Sequence, residues 1–220
     1  MIRACIFDLD GVIVDTAKYH YMAWKRLAYE LGIEFTEQHN ERLKGVSRIR
    51  SLEIILEIGG VELSEAEKTK CAERKNKWFV DYVNAMKPEE VFSGAIDLIS
   101  ELKARKFRVA LASSSKNAQG ILEHLKISNL FEIVVDGTMI THSKPDPEIF
   151  LLAANLLRLP PADCVVFEDA EAGIEAAHSA GMKAVGVGKE SVLGNAEIVV
   201  DQIGHFRFEM LKTLINERVS

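Results

Sequence analysis

The first sixteen residues, MIRACIFDLDGVIVDT (residues 1–16), decide which fold this chain can adopt. An apolar run ends in Asp8, Leu9 and Asp10, and Gly11 follows directly. The run is typical of a buried strand, in which residues two apart point to the same side, about 6–7 Å from each other. Asp8 and Asp10 therefore face one point in space. Two carboxylates this close require a cation or a proton on one of them.

The chain beyond residue 92 alternates between strand-like and helical patterns. The strand-like runs are at 107–112, 132–136, 163–168, 183–187 and 197–200, and the helical segments between them are at 94–105, 117–126, 147–157 and 171–180. Strands separated by helices of this length predict right-handed crossovers and a parallel sheet. The first strand must join that sheet, because a single parallel strand is not stable alone.

The segment between the first strand and residue 88 shows only helical patterns, at 17–31, 51–58 and 64–86. The last of these opens with Ser64-Glu65-Ala66-Glu67, which is a capping box. We therefore predict an α/β fold: a Rossmann-like parallel-sheet core (1–15 plus 88–220) with an inserted small helical-bundle cap (16–87). Two chain crossings between core and cap are what a hinged lid requires.

Composition excludes several classes of protein. The net charge of −6 argues against a nucleic-acid binder with a basic face, and no apolar run approaches the roughly 18–20 residues of a membrane span. The chain enters a strand at once, unlike a signal peptide. Cys5 and Cys164 lie in strand-like runs and are expected to be small core residues. We expect a reduced, cytoplasmic protein that acts as a monomer, without nucleic-acid or membrane partners.

Polar side chains follow four of the predicted strands, at the edge where ligands lie in open parallel sheets. They are Asp8 and Asp10, the serine-rich loop 113–117, Lys144, and the Glu-Asp pair at 168–169. Carboxylates suit a hard cation such as Mg²⁺, and hydroxyls with backbone N–H groups suit phosphate. Lys144 adds positive charge where a transferring phosphoryl group is most negative. This combination predicts phosphoryl transfer.

Each of these features also has a purely structural explanation. The serines at 113–115 could cap the next helix, Lys144 could be a solvated surface lysine, and the pair at 168–169 could cap another helix. His20 and Trp24, in the first helix of the inserted segment, could be core residues. The structural explanations do not account for all four motifs falling at the carboxyl ends of one sheet, which favours a functional site.

The same motifs resemble those of the haloacid dehalogenase superfamily. Longer stretches are similar to sugar phosphomutases of that superfamily: FDLDGVIVDTAKYHYMAWKRLA (7–28), LKGVSRIRSLEIIL (43–56), AERKN (72–76), ALASSSKN (110–117), SKPDPEIF (143–150) and FEDAEAGIEA (167–176). The resemblance covers nearly the whole chain and is weakest at 57–70 and in the last 20 or so residues. It implies the α/β core and a four-helix cap.

The resemblance also implies roles for individual residues. Asp8 would be the nucleophile that forms an aspartyl phosphate, and Asp10 the general acid and base. Thr16 and His20 would govern the proton on Asp10. The implied Mg²⁺ ligands are the side chains of Asp8 and Asp169, the backbone carbonyl of Asp10, and Glu168. The implied phosphate and substrate ligands are Ser113, Ser115, Lys116, Asn117 and Lys144 in the core, and Trp24, Gly45, Val46, Arg48, Ser51 and Lys75 in the cap.

The activity implied is the interconversion of β-D-glucose 1-phosphate and D-glucose 6-phosphate through β-glucose 1,6-bisphosphate, a small-molecule activator and intermediate. Two alternatives remain open on the sequence. One is a Mg-dependent sugar-phosphate phosphatase, which needs only the core phosphate site. The other is a non-catalytic phosphate- or metal-binding module, which the complete set of reactive side chains disfavours. Arg48, with its bidentate fork, suits a second phosphate in the cap and favours the mutase.

Overall fold

The computed structural model describes residues 1–43 and 46–216, so Gly45 lies outside the described residues. Six strands form one parallel sheet in the order β3-β2-β1-β4-β5-β6. The strands are β1 (Ala4–Phe7), β2 (Arg108–Ala112), β3 (Ile133–Val135), β4 (Cys164–Glu168), β5 (Lys183–Val187) and β6 (Ile198–Val200). The predicted α/β class and parallel sheet are confirmed, and β1 lies near its centre.

Helices account for most of the remaining described chain. They are α1 (Ala17–Glu30), α2 (Glu37–Glu41), α3 (Arg48–Gly59), α4 (Glu65–Val83), α5 (Ala95–Ala104), α6 (Ala118–His124), α7 (Glu148–Leu156), α8 (Glu171–Ser179), α9 (Glu190–Leu193) and α10 (Phe208–Asn216). Short 3-10 helices lie at Pro88–Glu90, Ser128–Leu130, Pro161–Asp163 and Ile203–His205. The sequence patterns did not predict α2, α9 or α10. The first two are too short to show a helical period.

Both faces of the sheet are covered, which is why its strands are apolar except at their ends. One face carries Ala4 and Ile6 of β1 and packs against α7 and α8. The other carries Cys5 and Phe7 and packs against α5, α6 and α10. The ring of Phe7 stacks on that of Phe167 of β4, with centroids 4.5 Å apart.

The helices α1 to α4 form a cap with an apolar core of its own, which includes Trp24, Leu27, Leu52 and Ile55. The Ser64 capping box predicted for α4 is present, and the Ser64 hydroxyl bonds to Glu67 at 2.6 Å. No helix of the described ranges is long and apolar enough to cross a membrane.

The two chain crossings between cap and core are tied to each other. The Asp15 backbone N–H donates to the Glu90 carbonyl at 3.0 Å. The Tyr19 hydroxyl donates to Glu90 Oε2 at 2.6 Å, and Lys18 Nζ lies 2.7 Å from the same oxygen. Glu90 therefore links the start of α1 to the returning chain. Burial acts to raise the pKa of Glu90, but the bonds from Lys18 and Tyr19 outweigh it and lower the pKa to about 2.

Candidate active site

A cleft of about 470 Å³ lies between the carboxyl edge of the sheet and the cap helices. The core contributes Asp8, Asp10 and Asp169 to its lining, together with the loop after β2. The cap contributes side chains from α1, α3 and α4. Because cap and core each supply part of the wall, a molecule in this cleft is enclosed only when the two lie together.

Asp8 lies directly after β1, and its backbone N–H donates to the Phe167 carbonyl of β4 at 2.9 Å. Its side chain is only 8% exposed. Lys144 Nζ donates to Asp8 Oδ1 at 2.6 Å and also to Glu168. Burial acts to lower the pKa of Lys144, but the charges of Asp8 and Glu168 outweigh it, so the pKa is raised. The surface-lysine explanation is therefore wrong for Lys144, which is 2% exposed.

Asp10 has an environment different from that of Asp8. Burial and the charge of Asp8 raise the pKa of Asp10 above its usual range. The Thr16 hydroxyl donates to Asp10 Oδ1, and the Ser113 hydroxyl to Asp10 Oδ2 at 3.4 Å. Asp8 thus lies against the Lys144 ammonium group, and its neighbour Asp10 is able to carry a proton. Such a divergence of environments is typical of acid–base sites.

Asp8, Asp10, Glu168 and Asp169 all line the cleft where Mg²⁺ is expected. An all-oxygen donor set of this kind fits a hard divalent cation. Two glycines keep the space around it open. Gly11 has φ +83°, and a Cβ there would lie 2.1 Å from Asp169 Oδ2. A Cβ on Gly173 would lie 2.0 Å from Glu168 Cδ.

Glu168 stabilises the turn before α8, because its Oε2 accepts from the backbone N–H groups of Asp169 and Ala170, at 3.0 and 3.1 Å, but no side chain caps α8 itself. Burial raises the pKa of Glu168, although Lys144 opposes this. The same side chain therefore holds this turn and lines the cleft. The helix-cap explanation is wrong for Glu168, because its bonds are to residues that precede α8.

The loop after β2 is braced by its own serine hydroxyls. Ser113 Oγ accepts from the Ser115 N–H at 3.1 Å, and Ser115 Oγ from the Asn117 N–H at 3.2 Å. Asn117 is the residue before α6, yet its side chain makes no capping hydrogen bond. Ser115, Lys116 and Asn117 line the cleft, whereas Ser113 lies beneath its surface, 1% exposed. The loop thus presents polar groups to the cleft rather than serving only as a helix cap.

The cap half of the cleft is cationic. Of the substrate ligands expected there, the cleft brings together Trp24, Val46, Arg48, Ser51 and Lys75, with His20 beside them. Lys75 is 1% exposed, and its Nζ lies 3.0 Å from His20 Nδ1 and 4.6 Å from the centroid of the Trp24 ring. Burial and the charge of Arg48 hold the pKa of Lys75 well below its usual value. Burial and the charge of Lys75 lower the pKa of His20 likewise.

Several lining residues were not singled out from the sequence. Among them are Asn40 of α2 and Thr69, Glu73 and Asn76 of α4. Asn76 accepts a hydrogen bond at Oδ1 from Asn117 Nδ2 at 2.9 Å, which joins cap to core. Asn76 stands within the AERKN string, next to Lys75, but an asparagine in a polar helix carries no signal by itself. Only the packing of α4 over the loop after β2 reveals it.

Comparisons with known proteins place this geometry in context. Residues 2–181 match the protein-family model described as haloacid dehalogenase-like hydrolase. The chain is 47% identical to the β-phosphoglucomutase of Bacillus subtilis over 211 residues, covering 95% of this chain and 93% of that protein. A crystal structure of β-phosphoglucomutase from Clostridium difficile superposes with a TM-score of 0.95 at 43% identity, covering 100% of this chain and 99% of that one. The chain is also 32% identical to a phosphorylated carbohydrates phosphatase of Thermotoga maritima, over 83% of each.

Proposed function

The chain belongs to the haloacid dehalogenase-like hydrolases, and we propose that it acts as a β-phosphoglucomutase. In this reaction β-D-glucose 1-phosphate and D-glucose 6-phosphate interconvert through β-glucose 1,6-bisphosphate. The observation that carries the proposal is that Arg48 and Lys75 line the same cleft as Asp8 and Asp10. A bisphosphate has two anionic ends, and this cleft offers groups suited to each: the reactive core edge and the cationic cap. The high identity to a β-phosphoglucomutase over nearly the full length supports the same conclusion.

Asp8 is the proposed nucleophile. Its carboxylate oxygen attacks phosphorus. A P–O bond to Asp8 forms as the bond between phosphorus and the sugar oxygen breaks, and an aspartyl phosphate results. Lys144 donates a hydrogen bond to the carboxylate of Asp8 and holds it in place. Mg²⁺ bound by Asp8, Asp169, Glu168 and the Asp10 carbonyl would offset the repulsion between an anionic nucleophile and an anionic phosphate.

Asp10 is the proposed general acid and base. It protonates the leaving sugar oxygen in one half of the cycle and removes a proton from the attacking sugar hydroxyl in the other. Thr16 and Ser113 hold its two carboxylate oxygens. Because Thr16 is the last residue before α1, its bond to Asp10 ties the acid–base group to the beginning of the cap. His20 and Lys75 face the same side of the cleft and are proposed to tune the local charge.

Ser115, Lys116 and Asn117 are proposed to bind phosphate in the core, and Arg48 and Ser51 in the cap. Trp24 and Val46 would shape the sugar site between them. The domain boundaries proposed for the moving parts are 16–87 for the cap and 1–15 with 88–220 for the core. The contacts of Glu90 with Tyr19 and Lys18 link the two chain crossings and support a hinge at this point. Closure of the cap would exclude water, which competes with the sugar for the aspartyl phosphate.

We also propose a cytoplasmic, monomeric enzyme with Mg²⁺ as cofactor and glucose 1,6-bisphosphate as activator. All three cysteines, Cys5, Cys71 and Cys164, are buried free thiols, as suits a reducing compartment.

The test supplies β-glucose 1-phosphate, Mg²⁺ and a trace of glucose 1,6-bisphosphate and follows glucose 6-phosphate and free phosphate together. Glucose 6-phosphate forming without phosphate release supports the mutase. Phosphate release alone would mean that water accepts the phosphoryl group and that the sugar-phosphate phosphatase is the better assignment. Asp8→Asn should abolish both products, because an amide cannot form the acyl phosphate.

Two arginines of α3 give a matched pair for the cap. Arg48 lines the cleft, whereas Arg50 is paired with Glu53 and Glu57 on the exposed side, at 3.2 and 2.8 Å. Arg48→Ala should lower glucose 6-phosphate formation by about tenfold to hundredfold, since hydrogen bonds to charged groups contribute about 1.5–3 kcal/mol. Arg50→Ala should leave it nearly unchanged. Equal effects of the two substitutions would contradict a phosphate site at Arg48.

A further inference from the structure

A continuous set of hydrogen bonds runs from the cap helix α4 to Asp10. Asn117 Nδ2 donates to Asn76 Oδ1 at 2.9 Å, and the Asn117 backbone N–H donates to Ser115 Oγ at 3.2 Å. The Ser115 N–H donates to Ser113 Oγ at 3.1 Å, and the Ser113 hydroxyl donates to Asp10 Oδ2 at 3.4 Å. Each donor and acceptor along this path is a side chain or backbone group of the loop after β2, except at its two ends.

The position of Asn76 is set by the packing of α4. Its neighbour Lys75 is buried against His20 and Trp24, and Phe79, one turn further on, is fully buried. These contacts fix the side of α4 that faces the cleft, so the position of the helix determines where the Asn76 carboxamide lies in the cleft. Its acceptor oxygen therefore reaches Asn117 only when the cap lies over the loop.

A carboxamide nitrogen carries two N–H groups. With one donated to Asn76, the plane of the Asn117 side chain is fixed, and the second N–H has a defined direction. A fixed donor binds an anion more tightly than a freely rotating one, because less conformational entropy is lost on binding. The hydrogen bond that Asn76 accepts from Asn117 thus contributes to phosphate binding, although Asn76 itself does not touch phosphate.

We propose that Asn76 is a positioning residue that orients the Asn117 carboxamide for phosphate and couples the position of the cap to the loop that supports Asp10. This role rests on the proposed function in assigning the loop 113–117 to phosphate. It makes phosphate binding and cap closure mutually reinforcing, since each orders the same side chain. By reciprocity, a phosphate in the loop favours the closed cap by the same factor as the closed cap favours phosphate.

The first experiment measures binding of inorganic phosphate, with Mg²⁺ present, by tryptophan fluorescence. Trp24 lines the cleft and both tryptophans lie in the cap, so the emission reports on cap and cleft without requiring turnover. Asn76→Ala should raise the Kd for phosphate by about threefold to tenfold, since one neutral hydrogen bond contributes about 0.5–1.5 kcal/mol. Asn84→Ala, the same change at an exposed position at the end of α4, should leave the Kd unchanged.

A double-mutant cycle distinguishes positioning from a general loss of structure. If Asn76 acts through Asn117, adding Asn76→Ala to Asn117→Ala should weaken phosphate binding no further. Effects that multiply would overturn the proposal, as would an unchanged Kd in Asn76→Ala. If Asn76→Ala melts at a lower temperature than Asn84→Ala, Asn76→Leu replaces it. Leucine keeps the branched shape at Cγ, is somewhat larger and lacks the acceptor, and the same outcomes apply to it.

The second experiment compares products. Asn76→Ala should release at least threefold more free phosphate per glucose 6-phosphate formed, because a less firmly closed cap admits water. If the unaltered enzyme forms no glucose 6-phosphate but the phosphate Kd shifts as expected, the mutase assignment fails and the positioning role stands. If glucose 6-phosphate forms while neither the Kd nor the phosphate released changes in Asn76→Ala, the positioning role alone is refuted.

Discussion

Removing the Lys144 ammonium group is the sharpest test of how the carboxylates of the site are held. In the structure Lys144 Nζ bonds to Asp8 at 2.6 Å and to Glu168, and it lies 3.4 Å from the Ala112 carbonyl oxygen. The side chains of Lys144, Asp8 and Glu168 are 1%, 8% and 1% exposed. Lys144→Ala therefore leaves two buried carboxylates without their cation.

Breaking a buried ion pair by removing one partner costs about 3–5 kcal/mol. Here the cost should stay below the upper end of that range, because a carboxyl group without its partner can take up a proton instead of remaining charged. We therefore expect Lys144→Ala to lower the free energy of unfolding by about 3–4 kcal/mol at pH 8.5 in the absence of Mg²⁺. Lys70→Ala, at an exposed position on α4, should change it by less than about 0.5 kcal/mol.

The pH dependence follows from which state binds protons. The pKa of Lys144 is raised, so its contribution is fully present below its unfolded value of 10.5 and is lost only as the pH rises above that value. Between pH 5 and 8.5 the contribution of Lys144 to the stability of the unaltered protein therefore does not change with pH. In the unaltered protein burial already raises the pKa of Glu168 to about 7. Without Lys144 this pKa rises further, so folded Lys144→Ala binds the proton at a higher pH than the unaltered protein does. The stability of the variant should then increase as the pH falls, and the deficit should narrow toward pH 5.

Urea unfolding at pH 5 and pH 8.5, followed by circular dichroism, measures both effects. Saturating Mg²⁺ should restore part of the stability of Lys144→Ala at pH 8.5, because the cation neutralises the same carboxylates. A deficit under about 1 kcal/mol at pH 8.5 would refute the reasoning, because it is below the cost of breaking a buried pair. A deficit that is equal at the two pH values would refute the assignment of the proton to Glu168.

Two further predictions concern positions outside the reacting groups. Gly173→Ala places a Cβ 2.0 Å from Glu168 Cδ. It should weaken Mg²⁺ binding at least about tenfold, measured by calorimetric titration, and lower the free energy of unfolding by about 1–3 kcal/mol. Gly120→Ala is the control, because its Cβ meets nothing within 4 Å; it should leave the Mg²⁺ affinity unchanged and raise the free energy of unfolding by about 0.5–1 kcal/mol. Glu90→Gln should lower the free energy of unfolding by about 1–2 kcal/mol at pH 7. The loss is small because the partner Lys18 is half-exposed to solvent. The pKa of Glu90 is lowered to about 2. The stability that its carboxylate contributes is therefore present above about pH 4.5 and is lost as the pH falls toward 2. If urea unfolding showed Glu90→Gln to be destabilised equally at pH 3 and pH 7, this account of Glu90 would be contradicted.

Much of the core was predictable because its signals are local. The run before Asp8 has the apolar character of a strand buried on both faces, and the segments from 107 to 200 alternate with the period of crossover units. Their bounds agree with the observed strands to within a residue or two. The helix α2 was missed because its five residues are too few to show a period, although Thr36 caps it with a side-chain bond to the His39 N–H at 3.3 Å.

The site was predictable in residue type more than in geometry. The placement of four polar motifs at strand ends indicated one rim before any coordinates were known. Lys144 could not be distinguished from a surface lysine by sequence, because burial depends on β1, β2 and β4 meeting around it. Asn76 was missed altogether, because its partner Asn117 lies 41 residues away.

The sequence by itself determined the order of the elements, the parallel sheet and the identity of the reactive groups, since periodicity, capping and strand-end chemistry are local properties of the chain. Only the tertiary structure decided which groups share an environment: Asp8 with Lys144, Asp10 with Thr16, and Asn76 with Asn117. The physical reason is that pKa shifts and hydrogen bonds depend on distances of a few ångströms between residues far apart in the chain. Packing of the cap on the sheet sets those distances, and no local pattern encodes them.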